Sequence, residues 1–358
     1  MNILAGVLSI IFLVLSILVI RRSGNLAKSL SGQTGSEEVS AITGENKWNA
    51  IGFVIFFVLG CIGGVWSFID SMPQMFQKPN SIHGVGTDNM FWIAMSIITV
   101  AFFVTSGLLF YFSWKYQYNK NRVAKFYPEN HTLELVWTII PAIVMAGLVF
   151  SGWKSWSAIM AEAPKDAIVI EIVGQQFGWK VRYAGLDNNK LGNYNYQKID
   201  NTNDLGIDLS DENSFDDFIP GEMHLPKGVP VLLRIRAKDV LHSVFMPDMR
   251  VKMDAVPGMP TKFWFTATST TDEKRAEKGN PEYNYKINCA EICGNGHFGM
   301  SINFYVDEPE DFKKWYAEQK PFLTMFPEYL DKVPEKLKAK AAKYAVPVVE
   351  ETSEVAAN

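Results

Sequence analysis

Two cysteines, a histidine and a methionine lie within twelve residues of one another and could together bind a soft metal ion. They are Cys289, Cys293, His297 and Met300, and a further histidine, His242, lies upstream. Thiolate, thioether and imidazole are ligands that favour copper over hard cations such as Mg²⁺. A mononuclear blue-copper site needs only one cysteine. The pair of cysteines therefore predicts two coppers bridged by both sulfurs.

The spacing of the two cysteines excludes several other kinds of site. Cys-x3-Cys is neither the Cys-x2-Cys of a zinc knuckle or thioredoxin nor the Cys-x2-Cys-His of covalent haem attachment. Gly294 and Gly296 follow the cysteines, and glycine tolerates the backbone angles that a tightly folded loop needs. The alternative is a disulfide in an extracytoplasmic domain. The histidine and methionine at fixed steps beyond the cysteines favour the metal site.

Four apolar runs precede residue 160, and each approaches the ~20 residues that a helix needs to cross a bilayer. They cover about 3–20, 49–69, 90–113 and 135–153. Arg21 and Arg22 follow the first run where a signal peptide would have its cleavage site, so we expect a retained helix. Lysine and arginine fill the first and third loops, whereas the second loop has only Lys78. Because positive loops stay in the cytoplasm, the chain beyond residue 160 is expected outside it.

The sequence after residue 168 is typical of strands rather than helices. Short β-branched or aromatic runs begin at Ile168, Trp179, Val229, Lys262 and Ser301. They are separated by Gly, Pro, Asn and Asp turns. Many short strands without helical periodicity predict a sandwich or a barrel.

The ligand run resembles the dinuclear copper (CuA) loop of subunit II of haem–copper oxidases, in particular cytochrome c oxidase. Other motifs occur in that family's order: Glu134-Leu-Val-Trp-Thr-Ile-Ile-Pro-Ala, Gly174-Gln-Gln-Phe-Gly-Trp, Lys238-Asp-Val-Leu-His-Ser and Lys252-Met-Asp-Ala-Val-Pro-Gly. The resemblance covers roughly residues 90 to 320. It implies a fold of N-terminal transmembrane α-helices, four by the count of apolar runs, followed by an all-β cupredoxin-like Greek-key barrel.

The resemblance and the apolar runs together divide the chain into four predicted parts. Residues 1–85 would be an extra pair of transmembrane helices, and residues 86–160 would be the family's own transmembrane hairpin. Residues 161–308 would form the extracytoplasmic CuA domain. Residues 309–358 would form a tail, first helical and then disordered. We expect a multi-pass protein of a bacterial-type inner membrane, with the CuA domain on the periplasmic side.

The resemblance also implies a role for each ligand. Cys289 and Cys293 would bridge the two coppers, and His242 and His297 would each hold one copper by a ring nitrogen. Met300 would be a weak ligand to one of them. The backbone carbonyl of Glu291 would complete the set. Its side chain would contribute to a Mg²⁺ or Mn²⁺ site shared with subunit I, since such cations prefer oxygen ligands.

Three residues outside the ligand set take roles from the same resemblance. Glu134 would lie at the mouth of a proton pathway into subunit I, and the alternative is a charge favoured by the helix dipole. Phe177 and Trp179 would mark the point where electrons arrive from the donor. The family usually has tryptophan where this chain has Phe177, which leaves the identity and the docking pose of the donor open.

The function implied is that of the electron-accepting subunit of a respiratory terminal oxidase. It would take electrons from a c-type cytochrome and pass them to haem in subunit I, where O₂ becomes water, coupled to proton translocation. The expected partners are subunit I, other oxidase subunits, the cytochrome and membrane lipid, with no nucleic acid. An Asp-rich insertion between Ala184 and Glu222 would steer a basic cytochrome or be a solvated loop.

Three other classes of protein share part of this pattern. The CuA subunit of a nitric oxide reductase would share every ligand, and Glu134 favours a pumping oxidase instead. A quinol oxidase subunit II lacks the copper ligands, which are all present here. A membrane-anchored copper chaperone also uses Cys-x3-Cys and a remote histidine, but it has a thioredoxin-like fold and one anchor.

Overall fold

The computed structural model describes residues 12–20, 23, 38–119, 121–185 and 189–345. Within that part of the chain, three helices are long and apolar enough to cross a membrane. They are α1 (Glu38–Met75), α2 (Ile82–Lys115) and α3 (His131–Ile159). Of the first predicted run, residues 12–20 are helical and the rest lies outside the described residues. The structure thus contains three of the four predicted spans, and the predicted disorder after residue 345 also lies outside it.

The chain divides into two compact units, and the division differs from the predicted boundaries. The first unit comprises residues 1–75 and 97–132, and the second comprises residues 76–96 and 133–358. The beginning of α2 belongs to the second unit because it is hydrogen-bonded to the β domain. Arg250 binds both carboxylate oxygens of Asp88, at 2.7 and 3.0 Å, and the Ser81 hydroxyl donates to the Met249 carbonyl at 2.6 Å.

Within the described residues of the second unit, nine strands form two sheets. They are β1 (Ile168–Gln175), β2 (Gly178–Tyr183), β3 (Met223–Pro226), β4 (Pro230–Ala237), β5 (His242–Met246), β6 (Val251–Ala255), β7 (Thr261–Thr266), β8 (Tyr285–Cys289) and β9 (Ser301–Asp307). One sheet has the order β2-β1-β4-β7 and the other β3-β9-β8-β5-β6. Helix α4 (Thr271–Lys278) connects β7 to β8. The β-rich prediction is confirmed, and β1, β2, β4, β7 and β9 are the strands that the sequence indicated.

The main core lies between the two sheets. Alternate residues of each strand face inward, such as Ile170 and Ile172 of β1 and Leu233 and Ile235 of β4, and all four are fully buried. Burying an aliphatic side chain of this size contributes about 1.5–3 kcal/mol. This core makes the β domain a firm support for whatever its loops carry.

The outer face of the first sheet carries a buried cluster of charges. Glu171 accepts from Arg182 Nε at 3.0 Å and from Arg236 Nε at 2.8 Å, and Arg182 Nη1 lies 3.2 Å from Asp217. Burial alone would raise the pKa of Glu171, but the two arginines lower it below its usual range. Buried charges need such partners, because an unpaired one costs several kcal/mol.

A second core covers that outer face, and it joins two segments that the sequence analysis treated separately. The insertion after Ala184 meets the C-terminal segment, which contains α5 (Pro309–Ala317), α6 (Phe322–Met325) and α7 (Glu335–Ala341). The second core comprises Val173, Leu205, Ile207, Leu209, Phe215, Phe322, Leu323, Tyr329, Val333 and Ala341. The C-terminal segment contains three helices in its described part, and up to residue 345 it packs on the β domain.

The acidic residues of the insertion are mostly paired or buried. Asp216 and Asp217 are buried. Three others form ion pairs with lysines: Asp200 with Lys332, Asp204 with Lys180 and Lys238, and Asp208 with Lys198. The two interpretations from the sequence were a surface that steers the donor and a solvated loop, and neither describes this arrangement. Asp200 thus links the insertion to the C-terminal segment, Asp204 links it to the β domain, and Asp208 pairs within the insertion.

Candidate metal centre

Strand pairing positions the first two candidate ligands. His242 is the first residue of β5 and Cys289 is the last residue of β8. These strands are antiparallel neighbours, with Val244 opposite Cys289. Because pairing fixes the register of two strands, His242 and Cys289 lie side by side. The distance from His242 Nδ1 to Cys289 Sγ is 3.9 Å.

The other donors come from the loop between β8 and β9. Cys293 Sγ lies 3.9 Å from Cys289 Sγ, 3.7 Å from His297 Nδ1 and 3.7 Å from Met300 Sδ. The backbone carbonyl oxygen of Glu291 lies 3.1 Å from Cys289 Sγ. The structure therefore brings together all six residues that the sequence predicted for the metal site.

Both cysteines of the loop are free thiols. Their sulfurs are 3.9 Å apart, whereas a disulfide bond is about 2.0 Å long. Burial raises the pKa of the Cys293 thiol to about 11, and the adjacent Cys289 adds to this effect. A cation bound between the two sulfurs would reverse the shift, because metal ligation requires the thiolate.

The donor set fits a soft metal better than a hard one. Two thiols, two imidazoles and a thioether are the donors that copper prefers. Within the described residues, the only group of converging His, Cys, Asp or Glu ligand atoms is formed by His242, Cys289 and Cys293, all within 4.8 Å. The Glu291 side chain is not a member of this group.

Asp239 fixes the orientation of His242. Its Oδ1 lies 2.8 Å from His242 Nε2, which leaves Nδ1 facing the cysteine sulfurs. Its Oδ2 accepts from the backbone N–H of Gln176 at 2.7 Å. Burial alone would raise the pKa of Asp239, but these hydrogen bonds lower it. This role was not predicted from the sequence. The position of Asp239 three residues before His242 was a signal for it, because metal-bound histidines often donate their other N–H to a carboxylate.

Phe177 lies directly on the ligand loop. Its ring is so close to the loop backbone that a Cβ built on Gly296 would lie 2.4 Å from Phe177 Cγ. The side chain is still 46% exposed. Gln176, its neighbour, donates from Nε2 to the Cys293 carbonyl at 2.6 Å. No role for Gln176 was predicted from the sequence.

Trp179 lies behind the ligands rather than on the surface. It is 7% exposed, and its ring meets that of His242 at 5.9 Å between centroids and 64° between planes. Of the two aromatic residues predicted to receive electrons, only Phe177 thus offers a surface that a donor could contact. Glu134 lies in the first turn of α3 and is not part of this cluster.

Two family models match the chain in sequence order. Residues 70–153 match the transmembrane domain of cytochrome c oxidase subunit II, and residues 168–306 match its periplasmic domain. The first match contains Glu134, and the second contains every other predicted site residue. The first match begins at residue 70, so most of α1 precedes it.

Individual proteins of the same description are similar over much of their length. The chain is 32% identical over 236 residues to the alternative cytochrome c oxidase subunit 2 of Bradyrhizobium diazoefficiens, covering 65% of this chain and 78% of that protein. It is 27% identical over 292 residues to cytochrome c oxidase subunit 2 of Thermostichus vulcanus, covering 66% and 76%. With both domains matched, this membrane-anchored chain belongs to the cytochrome c oxidase subunit II family, the electron-accepting subunits of an oxidoreductase complex with a copper-binding periplasmic domain.

Proposed function

We propose that the loop 289–300 and His242 hold the dinuclear copper centre CuA. The observation that carries this proposal is the convergence of two free thiols and two imidazoles on one point, each sulfur within 3.9 Å of the next donor. When bound, the copper pair would supply a carrier that gains and loses one electron at a time.

Each donor has a role that follows from its position. Cys289 and Cys293 lie between the two histidines and would bridge both coppers. His242 and His297 would each hold one copper through Nδ1, the nitrogen that faces sulfur. Met300 would be a weak ligand, and the carbonyl oxygen of Glu291 would complete the set.

The surrounding protein suits electron transfer because it restrains the donors. His242 and Cys289 belong to paired strands, and His242, Cys293 and Met300 are buried. Donors that move little between redox states reorganise little when an electron arrives. Burial also keeps water from the thiolates, so the chain's own atoms set their environment.

The donor is proposed to be a c-type cytochrome that docks over the ligand loop. Phe177 would form the contact nearest the copper ligands, with Trp179 behind it against His242. The loop also exposes Ile292 at 83% and Phe298 at 94%. This surface offers apolar contact, whereas Asp200, Asp204 and Asp208 of the insertion are paired with lysines and Asp216 and Asp217 are buried.

The acceptor is proposed to be haem in subunit I, where O₂ is reduced to water and protons are translocated. Glu134 would admit protons at the start of α3 on the cytoplasmic side. The Glu291 side chain would reach a Mg²⁺ or Mn²⁺ whose other ligands belong to subunit I. In this proposal the chain crosses a bacterial inner membrane four times, surrounded by lipid and other oxidase subunits, with the CuA domain in the periplasm.

The alternative functions are less well supported. A CuA subunit of a nitric oxide reductase would carry the same ligands, but both matched family domains are those of cytochrome c oxidase subunit II. A copper chaperone would have a thioredoxin-like fold, whereas this domain consists of two mainly antiparallel sheets.

Copper reconstitution of the full-length protein in detergent tests the dinuclear site. We expect a purple protein with two tightly held coppers and a seven-line EPR hyperfine pattern, because one unpaired electron is shared by two coppers. Cys293→Ser should remove one bridge and change the signal to a mononuclear type. A four-line pattern in fully loaded wild-type protein would show that the proposal is wrong.

A further inference from the structure

The two ends of the ligand loop are held to the domain in different ways. Cys289 and the next residue are part of the sheet: the Cys289 N–H donates to the Met300 carbonyl at 3.1 Å, and the Ala290 N–H donates to Ser243 at 3.0 Å. Residues 291–299 contain the second cysteine and the second histidine. Their backbone hydrogen bonds close small turns within the loop, such as the bond from His297 N–H to the Gly294 carbonyl.

One side chain from outside the loop donates a hydrogen bond to this segment. Among the described residues, the 2.6 Å bond from Gln176 Nε2 to the Cys293 carbonyl is the only hydrogen bond between residues 291–299 and any residue outside the loop 289–300. Phe177 then packs on the adjacent backbone at Gly294 and Gly296. The position of Cys293 relative to the sheet therefore depends on the turn between β1 and β2.

Gln176 is itself tied to the other half of the site. Its backbone N–H donates to Asp239 Oδ2 at 2.7 Å, and Asp239 Oδ1 lies 2.8 Å from His242 Nε2. A continuous path of hydrogen bonds thus runs from His242 through Asp239 and Gln176 to the Cys293 carbonyl. One end of the path is His242, which lies near Cys289 on the paired strands. The other end is Cys293, which lies in the loop with His297 and Met300.

We propose that Gln176 is a positioning residue that sets the distance of Cys293, and with it His297 and Met300, from the strand-held pair Cys289 and His242. The inference rests on the proposed copper centre. It predicts an asymmetry: loss of the Gln176 amide should loosen the Cys293 half of the site and leave the Cys289 half in place.

The test uses the full-length, copper-loaded protein with Gln176→Met and Gln176→Glu. Methionine keeps the length of the side chain, and glutamate keeps its shape, but neither can donate to the Cys293 carbonyl. Gln175→Met is the matched control, because the Gln175 amide oxygen only accepts from the exposed Lys238 at 3.3 Å. We expect both Gln176 variants to bind two coppers with an altered hyperfine pattern. They should release copper to a chelator about three- to tenfold faster, the effect of one lost hydrogen bond.

Amide hydrogen exchange of the metal-free full-length protein gives a readout that needs no copper. In the Gln176 variants, amides within residues 291–299 should exchange faster, while the Cys289 amide should keep its wild-type rate. Unchanged spectra, copper release and exchange would overturn the proposal, as would equal changes in Gln175→Met. If wild-type protein shows no dinuclear signal, the proposed function fails, and the exchange comparison still decides whether Gln176 positions the loop.

Discussion

Two glycines of the ligand loop determine how closely Phe177 can approach it. Gly294 has a φ of +130°, which side-chain-bearing residues rarely adopt. Gly296 has ordinary backbone angles, but a Cβ there would overlap the Phe177 ring. Glycine is therefore needed at the first position for its conformation and at the second for space.

Gly296→Ala should weaken copper binding because the added methyl group displaces either Phe177 or the loop. We expect copper release at least several-fold faster than in the wild type, measured with a chelator. Gly299→Ala is the control, because a Cβ at that position has no heavy atom within 4 Å. Combining Gly296→Ala with Phe177→Ala should bring the rate of copper release part of the way back to the wild-type rate. If Gly296→Ala alone releases copper at the wild-type rate, the packing of Phe177 on the loop has no effect on the metal.

Phe177→Ala should lower the electron-transfer rate at saturating donor, with copper content intact, because it removes the exposed ring nearest the ligands. A conservative substitution is required at Trp179. It is buried, and replacing a buried tryptophan by alanine typically costs about 3–5 kcal/mol of stability. Trp179→Phe keeps an aromatic ring against His242. If Phe177→Ala and Trp179→Phe both transfer electrons at the wild-type rate, the donor docks elsewhere.

The six metal-site residues could be predicted from the sequence because five of them lie within one short loop and their chemistry is distinctive. Asp239 and Gln176 could not be assigned so readily. Their roles depend on which atoms they meet across the fold, and Gln176 meets Cys293 only because β1, β2 and the ligand loop converge. Trp179 shows the same limit, since its motif does not reveal that it is buried.

At the scale of elements, the second core shows that the insertion after Ala184 and the C-terminal segment form one packed structure. Local composition indicated an acidic loop and a charged helical tail. The apolar residues that join them are sparse in each segment and become a core only when brought together over a long separation. Strands β3, β5, β6 and β8 were missed for a related reason: they are four or five residues long, and pairing with neighbours defines them.

Reversing the charges of Asp216 and Asp217 should unfold the insertion, because both side chains are buried. Burial raises the pKa of Asp217 from 3.8 to about 7, opposed by the nearby Arg182. Its folded form thus binds a proton more tightly than its unfolded form. Stability from this group is present at low pH and is lost as pH rises towards 7.

Asp217→Asn should therefore flatten the pH dependence of unfolding. We expect the Tm of the wild type to fall relative to that of the variant as pH rises from about 4 to above 7, measured on full-length protein in detergent. Asp272→Asn is the control, because this carboxylate is 87% exposed. Parallel Tm curves for Asp217→Asn and the wild type would show that Asp217 is ionised throughout this range.

At the scale of the whole molecule, the membrane helices extend beyond the region that the family match covers. Most of α1 precedes residue 70, and α1 lies against α2 within the first unit, where Phe57 and Phe110 stack at 4.7 Å. Their apolar side chains face outward, as lipid-facing side chains do. Among the membrane helices, the residue with a proposed role is Glu134, at the start of α3.

Glu134→Gln should slow oxidase turnover in the intact complex, by about tenfold if protons reach subunit I through this carboxylate. The copper EPR spectrum should stay unchanged, because Glu134 is not among the residues around the ligands. Glu129→Gln, five residues earlier and exposed, is the matched control. Equal turnover in the two variants would leave Glu134 as a charge that favours the helix N-terminus.

The second core also has a consequence for the order in which the protein can be completed during synthesis. Phe322, Leu323 and Val333 are made long after Leu205 and Phe215, which they cover. Until those later residues are made and exported, the apolar side chains of the insertion stay uncovered beside strands that are already complete. The proposed copper ligands all precede residue 301, so they emerge during this interval. Metal could reach the loop before the last helices close over the opposite sheet.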